Sequence, residues 1–295
     1  MNTSIKWEVL LRYRFIEIIA QWEGRLTTNH LCNTFNIQRQ QASKDISQYK
    51  EQAPENLTYD AKIKGYVPSK SFKPILTRGQ VDEYLNLLDS HSLLDGFIQK
   101  IDIADARTEI IRAPHRRVDP MIVRKVVEAC RTKQRIELTY ASMTNPTGEE
   151  RIIVPHTIVS SGYRWHVRAF CEKNMDYRDF VLGRILECGE LMGKVSYEQP
   201  RDALWDERID LELIANPNLT PDQQKLVEHE RGFDQQLSVR ARKATAIYAL
   251  QLLQVPTSAP TDNPDDAMAN PLILKNYQQI NELRFERKNV ERCAE

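Results

Sequence analysis

Two clusters of polar side chains have the types and spacing to do chemistry. The first is Arg39-Gln40-Gln41-Ala42-Ser43-Lys44-Asp45-Ile46. On a helix whose Ala42, Ile46 and Tyr49 face a core, Arg39, Gln40, Gln41, Ser43 and Lys44 point outward. Glutamine amides pair bidentately with adenine in the major groove, and arginine does so with guanine, so this helix is predicted to read DNA. Lys62 and Lys64 follow on a hairpin, where they are predicted to neutralise phosphates without reading sequence. The second cluster centres on the strand-like run Tyr163 to Cys171. If Trp165, Val167 and Ala169 face one side, His166, Arg168 and Phe170 face the other. Arg178 and Arg184 lie on or near an adjacent strand-like run, so three guanidinium groups can converge with His156 and His166, and Tyr140 and Ser142 add hydroxyl donors. Such a cluster suits a phosphate-rich or carboxylate-rich ligand, because guanidinium binds both groups bidentately. The competing reading pairs these arginines with Glu137, Glu149, Glu150 or Asp179 as salt bridges. Trp165 is expected in the core.

Catalysis is not expected. The chain has no Walker loop, no GxGxxG after a strand, no GxSxG and no HExxH. His156 and Cys171 lack a third group to position them as a nucleophilic pair. The six histidines show no metal-ligand spacing. Five scattered cysteines (Cys32, Cys130, Cys171, Cys188, Cys293) argue against a disulfide framework and a zinc ribbon. No metal and no resident cofactor are therefore expected. No run approaches the roughly 20 apolar residues that span a bilayer. Glu8, Glu17 and Glu23 interrupt the first thirty residues, so they do not read as a signal peptide, and a cytoplasmic protein is expected.

Forty-one basic residues balance 41 acidic ones, so no global field attracts nucleic acid. The distribution is uneven: residues 1–70 carry +3 and residues 202–295 carry −5. So weakly basic a head would hold a single half-site poorly, which predicts a homodimer on an operator with inverted repeats.

The elements needed to hold these groups are legible. A helix from about Ile5 to Trp22 presents Trp7, Leu10, Leu11, Phe15, Ile18 and Ile19 as an apolar stripe and stops at Gly24. A short helix from Thr27 or Thr28 to Phe35, a turn at Asn36-Ile37 and a helix from Gln38 to Gln52 follow. Leu57–Tyr59 and Ile63–Val67 make a hairpin. Three helices and a hairpin describe a winged helix-turn-helix, residues 1–70. Residues 71–118 read as a helical connector, broken at Pro114-His115-Arg116-Arg117. From 119 to 201, a helix (Pro120 to Thr132) precedes strands at Arg135–Ala141, Arg151–Ser160, Tyr163–Cys171 and Asp179–Leu186, which implies a small curled sheet or barrel. Residues 202–295 read strand, helix, strand, helix, then a Pro-, Asp- and Asn-rich loop (256–271) and a last segment, Leu272 to Leu283. The fold class is α+β.

Arg164-Trp165-His166-Val167-Arg168-Ala169-Phe170, followed by Tyr177 to Ile185, resembles the core signature of the WYL-domain transcription regulators. Trp165-His166-Val167 stands where that family has its Trp-Tyr-Leu triplet, while Pro155-His156 and the Arg184-Ile185 pair keep the framework. Asn216-Pro217-Asn218-Leu219-Thr220, Gly232-Phe233 and Val239-Arg240-Ala241-Arg242 are similar to the family's C-terminal extension. The triplet variant and the Arg39–Ile46 run most resemble repressors that sit beside anti-phage defence systems such as BREX and CBASS. The resemblance implies a winged helix-turn-helix, a WYL barrel of SH3 or Sm type and a C-terminal βαβα dimerisation module. It also implies repression of a defence operon by occupancy of a double-stranded operator. The effector, a small molecule or oligonucleotide bearing phosphate, would be sensed where Tyr140, Ser142, His156, His166, Arg168, Arg178 and Arg184 lie. The alternative is a nucleic-acid-binding accessory module of a defence complex.

Overall fold

The computed structural model describes residues 6–94, 109–111, 118–197, 199–257 and 264–280. The Pro114–Arg117 break, the connector beyond residue 94 except 109–111 and 118, the expected helix start at Ile5, the end of the last segment (281–283) and Cys293 lie outside the described residues. The chain divides into two units, Met1–Arg112 and Ala113–Glu295.

The first unit holds helices α1 (Trp7–Glu23), α2 (Thr28–Phe35) and α3 (Arg39–Gln52), the hairpin β1 (Leu57–Asp60) and β2 (Gly65–Pro68), and helix α4 (Val81–Leu94). Gly24 ends α1 in the left-handed region, φ 71°. Thr27 and His30 cap α2 reciprocally. Asn36, also left-handed, turns the chain into α3. Leu26 exchanges two backbone hydrogen bonds of 2.8 Å with Tyr66, an isolated bridge that ties the segment after α1 to the wing. A Cβ at Gly65 would lie 3.0 Å from the Leu26 carbonyl oxygen, so this close approach needs a residue without a side chain.

Helix α1 departs from the expected stripe. Phe15 and Ile19 are buried, but Trp7 and Leu11 are exposed, and the inward face is completed by Tyr13, Ile16, Ala20, Arg12 and Glu17. The two charges are satisfied. Arg12 Nε donates to Asp45 of α3 at 2.6 Å. The Glu17 carboxylate accepts from the Tyr49 hydroxyl, the amides of Ile75, Leu76 and Thr77, and the Thr77 hydroxyl. Burial is tolerated when a charge is fully hydrogen-bonded, and apolar periodicity does not register it. Asn56 adds a clip, donating to the Tyr49 hydroxyl and the Lys73 carbonyl and accepting from the Lys73 amide. Residues 73–77, read as connector, are thus fastened to the winged helix.

In the second unit α5 (Pro120–Thr132), capped by Asp119, packs Ile122, Val126 and Ala129 on Ile136, Leu138, Ile153, Val167 and Ala169. Strands β3 (Gln134–Tyr140), β4 (Glu149–Ser160), β5 (Trp165–Cys171), β6 (Asp176–Val181) and β7 (Ile185–Lys194) form one antiparallel sheet in the order β6-β5-β4-β3-β7. The expected single strand 179–186 is two strands, separated by a tight turn at Leu182–Arg184. That turn joins the two edge strands. In a flat five-stranded sheet those edges would stand about 19 Å apart, at roughly 4.8 Å per strand. A three-residue 3₁₀ turn rises only about 2 Å per residue, so the sheet must curl into a barrel. Register shifts between Pro155 and Thr157 and along β3–β7 supply the bend.

The C-terminal part contains α6 (Ala203–Asp206), β8 (Arg208–Ala215), α7 (Pro221–Arg231), β9 (Leu237–Arg242), α8 (Ala246–Leu252), α9 (Pro264–Ala269) and β10 (Leu272–Leu274). The βαβα reading is extended: β10 pairs with β8, giving the sheet order β10-β8-β9, and the expected loop contains α9. Leu272 and Leu274 join Leu211, Leu213, Val227 and Leu250 in one core, which explains why an isolated short apolar run is a strand. Among the described residues no helix is long and apolar enough to cross a membrane.

Candidate nucleic-acid interface and effector pocket

Helix α3 turns Ala42, Asp45, Ile46 and Tyr49 inward. Gln40, then Ser43 and Lys44, then Ser47 recur three and four residues apart along its exposed face, with Arg39 beside them at the first turn. Gln41 does not join that stripe. It is half-buried, and its amide donates to Asp45 Oδ1 at 2.8 Å, so it steadies the Arg12–Asp45 pair rather than facing outward. An open cleft of about 750 Å³ between α3 and the wing is lined by Arg25, Asn29, Arg39, Ser43, Tyr59 and Lys64, among others. Of the two wing lysines, both exposed, Lys64 faces this cleft and Lys62 does not line it. Arg25, which no local sequence signal marks, donates from Nε to the Ile63 carbonyl at 3.0 Å and so holds the wing turn. Burial pushes the Tyr49 phenol up; the Asn56 hydrogen bond opposes the shift and the neighbouring Glu17 carboxylate adds to it. Tyr49 is thus a neutral donor to Glu17 on the buried face of α3.

The second cleft, of about 700 Å³, lies at the barrel. Tyr140, Ser142, Arg168, Arg178 and Arg184 all line it; His156 and His166 do not. Arg184 is half-buried in the Leu182–Arg184 turn, and among the described residues no acid pairs with it. Arg178 stands on β6, also half-buried. The Tyr140 hydroxyl accepts from the Val181 amide at 3.1 Å, and its ring meets Phe180 edge-on. The Ser142 hydroxyl accepts from the Asn145 amide and lies 2.9 Å from that of Thr144, so it shapes the loop at the cleft's rim.

Arg168 corrects the expectation. Only 2% exposed, it donates bidentately to Asp202 at 2.8 Å and to Asp179 at 3.2 Å. The salt-bridge reading holds for this residue, though with one partner, Asp202, that had been placed on the far side of a domain boundary. Asp202 also caps α6 through the Trp205 amide and accepts from His156 Nε2 at 3.2 Å. Burial opposes ionisation of Asp202, but the hydrogen bonds from His156 and Arg168 and the guanidinium charge outweigh it and hold the carboxyl well below the usual range. His156 is further enclosed by the Tyr177 and Trp205 rings. His166 is buried and stacks on Tyr248 of α8, centroids 4.7 Å apart. The histidines and Arg168 therefore fasten the C-terminal module to the barrel. Alternation along β5 is as expected, with Val167 and Ala169 in the core, but Trp165 is 56% exposed at the strand's start, not buried. Among the described residues no group of three His, Cys, Asp or Glu side chains is placed to hold a metal ion.

Comparison with known proteins finds three family matches along the chain. Residues 8–90 match the winged helix-turn-helix domain of the BrxR transcriptional regulator, residues 121–189 the WYL domain, and residues 208–280 the BrxR C-terminal dimerization domain. A DNA-binding transcriptional repressor CapW of Escherichia coli (strain KTE188) is 32% identical over 93% of this chain and 91% of its own. A CapW of Pseudomonas aeruginosa is 32% identical over 94% of this chain and 92% of its own, and one of Stenotrophomonas maltophilia 30% over 89% of each. The chain belongs to the family of BrxR-type, WYL-domain transcriptional regulators that includes the CapW repressors.

Proposed function

We propose that this protein is a cytoplasmic, homodimeric, sequence-specific DNA-binding repressor, that it controls a phage-defence operon, and that it is not an enzyme. The observation that carries the reading is the exposed stripe of Arg39, Gln40, Ser43 and Lys44 on a helix braced from beneath by Arg12–Asp45 and Glu17–Tyr49. Rigid mounting of the reading side chains is what base-edge recognition requires. Two such helices in a dimer reach two half-sites about 34 Å apart on one face of B-DNA. The barrel cleft is the effector site, with Arg184 and Arg178 as anion-binding groups, Tyr140 beside them and Ser142 shaping the rim. Arg168, His156 and His166 support the site from behind. A phosphate-bearing ligand fits an arginine that has no acidic partner among the described residues.

The test is a mobility shift with the full chain on the duplex upstream of its own gene, against a scrambled duplex of equal length. Retardation of the first at concentrations that leave the second free is expected. Equal retardation of both would overturn sequence-specific repression and favour a general nucleic-acid-binding module.

A further inference from the structure

Tyr248 belongs to α8 of the C-terminal module, yet it lines the barrel cleft together with Arg184, Arg178 and Asp179. Its hydroxyl donates to Asp179 Oδ2 at 2.9 Å. The other oxygen of Asp179 accepts from Arg168, which is itself held by Asp202 at the head of α6. Beside the His156–Asp202 bond and the His166–Tyr248 stack, the barrel is thus fastened to the module by Asp202–Arg168 and Asp179–Tyr248, and of these two the first is much the stronger. A bidentate buried ion pair does not yield to a small ligand, whereas a hydrogen bond from a neutral phenol to a carboxylate at the cleft wall can be exchanged.

The charges favour that exchange. Arg168, Arg178 and Arg184 line the cleft beside Asp179 and admit an anion, and one settling beside Arg184 adds a negative charge near Asp179. A phosphate oxygen competes directly for the phenolic proton as a charged acceptor. The ring of Tyr248 lies 15° from parallel on His166, so the side chain has a resting platform when the hydroxyl changes partner.

We propose that Tyr248 is both a wall of the effector pocket and the latch that couples it to the dimerisation module: a phosphate-bearing anion drawn in by Arg184 takes the Tyr248 hydroxyl from Asp179 and loosens α8 from the barrel. The inference rests on the effector-site reading above. It adds where the signal leaves the pocket, namely through the C-terminal module.

Tyr248→Phe keeps the ring and its stack but removes the hydroxyl, so it mimics the released latch. The experiment measures the dimer dissociation constant of the full chain by sedimentation, with and without inorganic phosphate or a 5′-phosphorylated dinucleotide, and binding of the same probes by calorimetry. For wild type, saturation with a bound probe is expected to shift the constant about tenfold, a coupling of ordinary size. Tyr248→Phe is expected to bind the probe, to show the shifted constant already without it, and to respond no further. Arg184→Ala is expected to lose probe binding while keeping the wild-type resting constant. Amide exchange within 246–252 of the wild type should quicken when the probe binds. A Tyr248→Phe protein with the wild-type resting constant and full response overturns the latch and leaves the pocket standing. Probe binding unaffected by Arg184→Ala, or absent from wild type, overturns the effector site; the resting constant of Tyr248→Phe then still judges whether Tyr248 couples barrel to module.

Discussion

Beneath the recognition helix lies a buried arginine, Arg12, locked to Asp45; beneath the barrel cleft lies another, Arg168, locked to Asp179 and Asp202. The two differ in where the brace comes from. Under α3 it is supplied by another helix, so the polar residues of α3 itself stay exposed and available. At the cleft the brace is the β5 arginine that strand alternation had marked as a ligand contact, and the contacting role we propose rests on Arg184 in a turn. Alternation fixes which side of a strand a residue takes. It does not say whether that side meets solvent or another module, and here the outer face of β5 meets Asp202 and Tyr248.

The comparison breaks most visibly at Arg168. Arg168→Ala strands two largely buried carboxylates, so we expect a loss of about 3–5 kcal/mol in chemical denaturation, while Arg184→Ala should stay within about 0.5 kcal/mol of wild type. Comparable losses in both would mean that Arg184 is also a brace. On the DNA side, Gln40→Ala should erase about 1–3 kcal/mol of discrimination between operator and random duplex. Gln41→Ala should instead cost about 1 kcal/mol of folding stability, through the lost bond to Asp45, with discrimination kept. Lys64→Ala should weaken binding to both duplexes alike and reduce the salt slope by about 1 for each half-site, read from binding at several salt concentrations.

The smallest effect concerns pH. Because the folded Asp202 titrates below its unfolded value, its stabilisation is complete above about pH 4 and drains away as the solution falls through the folded value. Denaturation between pH 2 and 5 should therefore show wild-type stability falling with acid, with a shallower slope in Asp202→Asn. A parallel slope in that variant would remove Asp202 from the acid response.

Much of this was legible in residues alone. Thr27, Asn36 and Gly24 are local signals, and they placed α2, its turn and the end of α1; the strand-like runs Leu57–Tyr59 and Ile63–Val67 marked the wing. The pairs that decide function span long stretches of chain: Arg12 with Asp45, Glu17 with residues 75–77, Arg168 with Asp202, Tyr248 with Asp179. No periodicity encodes such pairings, and an apolar-stripe rule assigns buried charges like Arg12 and Glu17 to solvent. Asp202 did carry a weak local signal, as an acidic residue three before Trp205, the arrangement of an N-cap. Arg184 was placed on or near a strand because Gly183 was not read as the centre of a turn between edge strands. The same oversight hid the reason the sheet closes.

The most direct test of the account is the operator preference of the full-length dimer with and without the Gln40 side chain. Binding to the duplex upstream of the gene and to a random duplex is measured at one fixed salt concentration, by fluorescence anisotropy. The account predicts that wild type prefers the first by at least about a thousandfold and that Gln40→Ala, folded and dimeric, loses about tenfold or more of that ratio. An undiminished ratio in Gln40→Ala would contradict the assignment of α3 as the reader, and a ratio near one in wild type would contradict the repressor itself.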